Sequence, residues 1–207
     1  MPLIRKPADR TQTRDPDAVD VLKALVSDDR EQRWAAARAA AQIDGAAEAL
    51  GTALRSESDP RVREAMFTSL TCMNSSQSVD ALTPLLRLDD ASLRAGALDA
   101  LRAMAEAVRE RLPALLNDSD SDVRVLSSEI ARSLPGEEAT RLLCDLLAHE
   151  SEPNVCAAAV EVLAEVGNPT ALAALADCAA RFRDTPFLVF ATRIAADRIR
   201  AQCASHV

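Results

Sequence analysis

The sequence predicts an all-α protein, a right-handed α-solenoid built from about six antiparallel helical hairpins. A five-residue motif recurs every 30 to 32 residues, and the apolar residues are mostly Ala, Leu and Val, with 2% aromatics and only 5 Gly. Small, unbranched side chains favour closely packed helices, whereas sheets are enriched in β-branched and aromatic residues. One short hairpin cannot cover its own apolar face, so neighbouring hairpins must stack on one another.

The recurring motif, called the pentad below, is an acid, two variable residues, an aliphatic residue and an arginine. It is complete at residues 59–63, 90–94 and 120–124, and residues 29–33 keep the acid and the arginine. Residues 152–156 and 184–188 keep the acid and an apolar residue but lose the arginine. Six acids in one register indicate a true internal repeat.

Each pentad is expected to open the second helix of its hairpin. The acid suits an N-cap, where its side chain accepts the backbone N–H groups of the first turn, although Glu152 is a poorer cap than Asp. Leu-rich stretches before each pentad, such as Leu82, Leu85 and Leu86, have helical spacing and predict the first helices. The resulting six units span residues 17–44, 46–74, 78–107, 109–135, 137–167 and 169–200.

The acids and arginines of the first four pentads form a regular series, the Asp–Arg ladder. We expect a structural role for it, as helix caps and as hydrogen bonds between units, because stacked helices lie about 10 Å apart and an arginine reaches the acid of its own or the next unit. Its members are Asp29, Arg33, Asp59, Arg63, Asp90, Arg94, Asp120 and Arg124.

The pentad resembles the HEAT repeat, which is marked by an Asp and a Val-Arg pair at the start of the second helix. The resemblance covers roughly residues 17–200, and the short period is similar to that of the bacterial HEAT-like repeats grouped with phycobilin lyases. Residues 167–172, Gly-Asn-Pro-Thr-Ala-Leu, match a short turn between repeats in that group. The resemblance implies a non-catalytic protein-binding scaffold, in a bacterial regulatory or signalling setting, whose second helices line a concave face.

The exposed rows of the second helices supply the candidate partner-binding residues on that concave face. They form a trough with an acidic middle and a border of arginines, which suits a basic or amphipathic segment of another protein. A merely soluble surface explains the same rows. Trp34 either anchors a partner or covers the open end of the stack. The candidate residues are Trp34, Arg38, Glu64, Asp99, Arg102, Glu129, Arg132, Glu161 and Glu165.

Other functions have weaker support in the sequence. The formal net charge of -8 disfavours nucleic-acid binding, and the low aromatic content disfavours a tetrapyrrole lyase or chaperone of the phycobilin-lyase type. The five cysteines include no CxxC pair, and His149-Glu150 is a single His-Glu pair, so we expect no metal site, no cofactor and no enzyme activity. Cys72 and Cys156 are expected to be buried or half-buried thiols. Without a signal-like or membrane-length apolar run, a cytoplasmic location is expected.

The two ends are expected to differ from the repeats. Residues 1–16, with four basic and three proline residues, are predicted to be a mobile tail, and residues 201–207 a C-terminal tail. Phe182, Phe187 and Phe190 crowd into the last unit, where one face has no following repeat. They either fold into a cap or support self-association.

Overall fold

The structure, a computed structural model, describes residues 18–204 apart from the side chain of Cys203. The predicted N-terminal tail and residues 205–207 lie outside the described residues. Within the described range there are thirteen α-helices and one 3₁₀ helix, and no strand. The all-α prediction is confirmed.

Six pairs of helices follow one another along the chain, one pair in each predicted unit. In chain order they are α1 (Ala18–Ala24) and α2 (Arg30–Ala40); α3 (Ala46–Ser56) and α4 (Pro60–Met73); α5 (Ser76–Leu82), continued by the 3₁₀ helix Thr83–Arg87, and α6 (Ala91–Ala103); α7 (Ala105–Val108) with α8 (Leu112–Leu116), and α9 (Ser121–Ala131); α10 (Gly136–His149) and α11 (Pro153–Val166); α12 (Ala171–Arg181) and α13 (Pro186–Ala204).

The pairs stack into two layers, which is the arrangement of an α-solenoid. The second helices pack consecutively, α2 on α4, α4 on α6, α6 on α9, α9 on α11 and α11 on α13. In the other layer α3 packs on α5, α5 on α7, and α10 on α12. One continuous apolar core runs from Val21 to Ile199. The layered core follows from the repeat, because the aliphatic pentad position faces the interior in every unit from the second to the fifth.

The pentad acids lie where the helix starts. The side chains of Asp29, Asp59, Asp90 and Asp120 accept backbone N–H groups of the first turn in α2, α4, α6 and α9. Glu152 makes no such bond at the start of α11. Helix α13 begins at Pro186, two residues after Asp184, because the backbone carbonyl of Thr185 accepts the first helical N–H groups. The sixth acid therefore lies one residue outside the cap position of the others.

The helices depart from the regular repeat in the third and fourth units and at the C-terminal end. The first helices of the third and fourth units are broken near Pro84 and Pro113, since proline has no backbone N–H to donate. The fourth unit also begins at Ala105, four residues before the boundary of residue 109 predicted from the sequence, because only Met104 separates α6 from α7. At the other end, α13 continues through Ala204, so the described part of the predicted C-terminal tail is helical.

Candidate functional site

The arginines of the Asp–Arg ladder close each hairpin at the same point. Each guanidinium donates to the backbone carbonyl six residues earlier, where the first helix has ended. The bonds are Arg33 to Ser27 (2.9 Å), Arg63 to Glu57 (2.6 Å), Arg94 to Leu88 (2.5 Å) and Arg124 to Asp118 (2.8 Å). These bonds satisfy carbonyls that the helix end leaves without a partner. The ladder is thus part of the scaffold.

The same arginines also join neighbouring units, but mostly through acids that sequence reasoning missed. Arg63 binds the pentad acid of the next unit, Asp90, at 3.1 Å. Arg33 instead makes two hydrogen bonds to Glu57, at 2.6 and 3.1 Å. Arg124 binds Glu150 in the same way, at 2.7 and 3.1 Å. Both glutamates lie two residues before a pentad acid, and that position is the signal that could have found them.

Glu57 and Glu150 are nearly inaccessible to solvent, at 5% and 8% exposure, and both are held in the charged form. The hydrogen bond from Arg33 lowers the pKa of Glu57 below its ordinary value. Burial raises the pKa of Glu150, but the hydrogen bonds from Arg124 and from the Glu152 backbone outweigh burial, so the pKa is lowered overall. Both carboxylates are thus engaged in contacts that join neighbouring units.

One ladder arginine makes no ion pair between units. In the described residues Arg94 has no carboxylate within ion-pair distance, because the corresponding acid, Asp118, is bound by Arg87. Of the four ladder arginines, Arg63 alone is ion-paired with a pentad acid among the described residues.

Cys156 takes the ladder position in the fifth unit, where its Sγ lies 3.9 Å from the Glu150 carbonyl. Arg181 of the next unit supplies the missing guanidinium and donates to the carbonyls of Ala148, at 2.7 Å, and Leu147. The hydrogen bond with Cys178, together with burial, raises the pKa of Cys156. Cys156 is fully buried, as expected for a structural thiol.

The candidate site is a groove on the exposed side of the second helices in the first three units. One depression of about 460 Å³ lies between α2 and α4, and a second of about 450 Å³ lies between α4 and α6. The two share Glu64, Thr68 and Cys72, so they form one surface, called the second-helix groove below. Of the residues predicted to bind a partner, it brings together Trp34, Arg38, Glu64 and Asp99.

Trp34 forms one wall of the second-helix groove and is only half-buried. The guanidinium groups of Arg38 and Arg61 lie over its ring, 4.8 and 4.3 Å from the centroid. Arg61 also pairs with Glu31 of the preceding unit at 3.3 Å. Trp34 is therefore held in place by cations and stays accessible at the edge of the groove.

Most lining residues of the α4–α6 part lie outside the predicted partner-binding set, among them Phe67, Cys72 and Gly96. Phe67 and Gly96 line it together, and a Cβ added to Gly96 would lie 2.4 Å from Cε2 of the Phe67 ring. Glycine therefore lets the ring occupy this place. Cys72 is exposed and lines the groove, so the expectation of a buried or half-buried thiol is wrong for this residue.

The remaining predicted residues lie further along the second helices, where the charges largely compensate one another. Arg132 binds Glu129 at 3.0 Å and also binds Glu165 of the next unit. The hydrogen bond from Arg132 lowers the pKa of Glu165, and the half-buried Arg102 acts in the same direction. Glu161 is exposed and has no ion pair in the described part of the chain. In the units after the groove, the predicted acidic middle is thus neutralised at Glu129 and Glu165 but not at Glu161.

A larger depression, of about 680 Å³, lies between α3 and α5 in the layer of first helices. Its Asp80 carboxylate is bound by two guanidinium nitrogens of Arg111, at 2.9 and 3.1 Å. Because that charge is already compensated within the chain, this depression is a weaker candidate than the second-helix groove.

The sequence profile of the family described as HEAT repeats matches residues 47–124 and 108–186, which is more than half of the chain. The chain belongs to the HEAT-repeat family. The pentads explain the match, since the two matched segments include four of the six. No curated protein matches this chain significantly.

Solved structures resemble the HEAT-repeat chain over most of its length. The archaeal HEAT-like repeats protein from Thermococcus onnurineus NA1 is 17% identical, covers 89% of this chain and 87% of its own, and has a TM-score of 0.49. An engineered protein is 23% identical, with 90% and 99% coverage and a TM-score of 0.44. The complex of CpcE and CpcF of phycocyanin lyase from Nostoc sp. PCC7120 is 16% identical, with 96% and 100% coverage and a TM-score of 0.37. These likenesses concern the fold alone.

Neither a metal site nor a membrane span is found among the described residues. There, no group of three or more His, Cys, Asp and Glu side chains is placed to hold a metal ion. The ring of His149 contacts the Asp145 carbonyl at 3.1 Å, while Glu150 is bound to Arg124. No helix between residues 18 and 204 is both long and apolar enough to cross a bilayer.

Proposed function

We propose that this HEAT-repeat chain is a non-catalytic scaffold that docks another protein in the second-helix groove. The observation that carries the proposal is a continuous open groove across three units, with aromatic residues in its wall and exposed carboxylates at its rim. Repeat folds use extended surfaces of this kind for binding. A fold supports a function only by analogy, so the groove chemistry has to supply the partner class.

The two acids of the α4–α6 part of the groove favour a partner segment with basic and small apolar groups. Glu64 and Asp99 are exposed at the rim of the groove, and neither is paired within the described residues. Complementary charge across an interface speeds association and selects among partners. We place this interaction in the cytoplasm and in a regulatory setting, on the basis of cysteine usage and of the family resemblance.

Affinity capture with charge-reversed bait tests the docking site. The full chain is used as bait in lysate of its native cell, alongside a Glu64→Arg plus Asp99→Arg variant. We expect the main captured protein to be lost with the variant while its circular dichroism spectrum is unchanged. A matched control, Glu110→Arg plus Glu137→Arg, makes the same change in net charge on exposed residues of the first-helix layer. Equal capture by all three baits would place the interface elsewhere.

We also propose self-association through the last unit, with the exposed rings of Phe187 and Phe190 as the contacting groups. Phe187 and Phe190 are 52% and 56% exposed, while Phe182 is half-buried and packs against the core under Arg181. Phe182 thus contributes to the fold more than to an interface. Light scattering of the full chain over a range of concentrations tests the proposal, with Phe187→Ser plus Phe190→Ser expected to give monomers. A wild-type chain that is monomeric at every concentration would contradict it.

A further inference from the structure

Arginine guanidinium groups cover most of the aromatic rings among the described residues. Trp34 lies under Arg38 and Arg61, Phe182 under Arg181, and Phe190 under Arg193, with distances to the ring centroids between 4.3 and 5.4 Å. A cation within about 6 Å of a ring centroid is attracted to the negative face of the ring. The chain therefore supplies its own cation in the α2–α4 part of the second-helix groove.

The α4–α6 part of the groove has the aromatic ring and the counter-charges but lacks the cation. Among the described residues no guanidinium or ammonium lies over Phe67. Glu64 and Asp99 stand at the rim on the two helices that form the walls. Arg63 also lines this part, but its guanidinium is bound to the Glu57 carbonyl and to Asp90. A positive group from outside would therefore meet two carboxylates and an aromatic ring without an arginine of its own.

We propose that this part of the groove binds the guanidinium of an arginine side chain presented by the partner protein. The proposal rests on the proposed docking function and names the group that the groove recognises. Arginine fits better than lysine because its planar guanidinium stacks on an aromatic ring while its edge donates to carboxylates. Lysine offers a compact, strongly hydrated charge, which exchanges its water less readily for a ring face.

Gly96 gives this pocket its shape. Any side chain at residue 96 would overlap the outer atoms of the Phe67 ring, which lie 2.4 to 2.8 Å from the position that a Cβ would take. The ring would then have to swing out of its place, and the surface for the guanidinium would be lost. Gly96→Ala therefore moves the ring without removing an aromatic residue or a charge, and alanine also favours the helix.

Peptide titration tests the proposal directly. The probe is a dye-labelled octapeptide of alternating alanine and arginine, followed by fluorescence polarisation at low salt with the full chain. In one control peptide citrulline replaces each arginine, which exchanges the charged guanidinium for a neutral group of similar shape. In a second control peptide lysine replaces each arginine, which keeps the positive charge but not the planar guanidinium. We expect the arginine peptide to bind most tightly, the lysine peptide at least three-fold more weakly, and the citrulline peptide not measurably.

Variants assign the binding to this pocket. Glu64→Gln, Asp99→Asn and Gly96→Ala are each expected to weaken arginine-peptide binding by roughly three- to five-fold, the size expected for an exposed contact. Glu110→Gln, an exposed acid outside the groove, is the matched control and is expected to leave binding unchanged. Phenylalanine-selective NMR adds a readout that tolerates small changes in stability, since only the Phe67 ring signals are expected to shift on titration.

Two results would overturn the proposal. One is equal binding of the arginine and citrulline peptides, and the other is arginine-peptide binding that none of the three groove variants weakens. Failure of this proposal is distinct from failure of the docking function, because affinity capture with the Glu64→Arg plus Asp99→Arg bait does not require an arginine in the partner. If a captured partner depends on the groove but the peptide titration is negative, docking in the groove is supported and recognition of an arginine side chain is contradicted.

Discussion

Two truncations in the pentads test whether burial in the apolar core stabilises the chain. Leu93, in the third unit, is 2% exposed, whereas Phe187, at the same pentad position of the last unit, is 52% exposed. Removing a buried leucine side chain beyond Cβ costs about 3 kcal/mol, from lost burial and from the cavity that remains. Phe187→Ala removes a larger group, but that group is half in water already and leaves no enclosed cavity, so we expect a cost below about 1 kcal/mol.

The assay is urea and thermal unfolding followed by circular dichroism. In a chain of this length about 3 kcal/mol corresponds to a fall in melting temperature of roughly 6–12 °C for Leu93→Ala. Phe187→Ala is expected to shift it by no more than a few degrees. Equal losses of stability in the two variants, or a larger loss for Phe187→Ala, would refute this reasoning, because burial of the side chain would then not determine the cost.

Three further predictions follow from the contacts of the ladder and the groove. The pKa values of Glu57 and Glu150 are lowered in the folded state. Their contribution to the free energy of unfolding is therefore complete above the ordinary glutamate pKa of about 4.3, and it is lost as the pH falls through the folded-state values. The urea midpoint should therefore be level near neutral pH and decline below about pH 4, and a Glu57→Gln plus Glu150→Gln variant should show a shallower decline; an unchanged slope would contradict this. Arg124→Met leaves the buried Glu150 carboxylate without its partner and should cost about 3 kcal/mol in denaturant titration, while Arg94→Met, which breaks no ion pair in the described residues, should cost less than half as much. Cys72 should react with a maleimide within minutes under native conditions, as measured by peptide mass spectrometry, whereas Cys156 and Cys178 should react only on unfolding; rapid labelling of Cys156 would show that the contact between α11 and α12 opens.

The repeat can be predicted from the sequence because the pentad is a local signal. A capping acid, an aliphatic residue and the start of a helix lie within five residues for α4, α6 and α9, and part of the same motif precedes α2 and α11 at the same spacing. Where local signals weaken, the predicted boundary moves. The fourth unit is predicted to start at residue 109 because nothing in the sequence marks a turn at Met104.

The contacts between units could not be predicted in the same way. Arg33 and Glu57 are 24 residues apart, and the choice of Glu57 over a pentad acid depends on how two hairpins are rotated against each other. The pairing of Arg132 with Glu165 of the next unit has the same origin. Together with the local pair between Arg132 and Glu129, it neutralises part of the surface expected to be acidic. The contact between Phe67 and Gly96 joins two helices, and in the sequence each residue looks like an ordinary member of its own helix.

Site-specific photocrosslinking tests the central claim most directly. A benzophenone amino acid is placed at Thr68, which lines both parts of the second-helix groove, or at Glu110, an exposed residue outside the groove, and crosslinking is carried out in the native cell. Docking in the groove predicts that the chain with the crosslinker at Thr68 forms a discrete adduct with another protein, and that the chain with the crosslinker at Glu110 does not. An adduct at Glu110 alone, or at neither residue, would contradict docking in the groove.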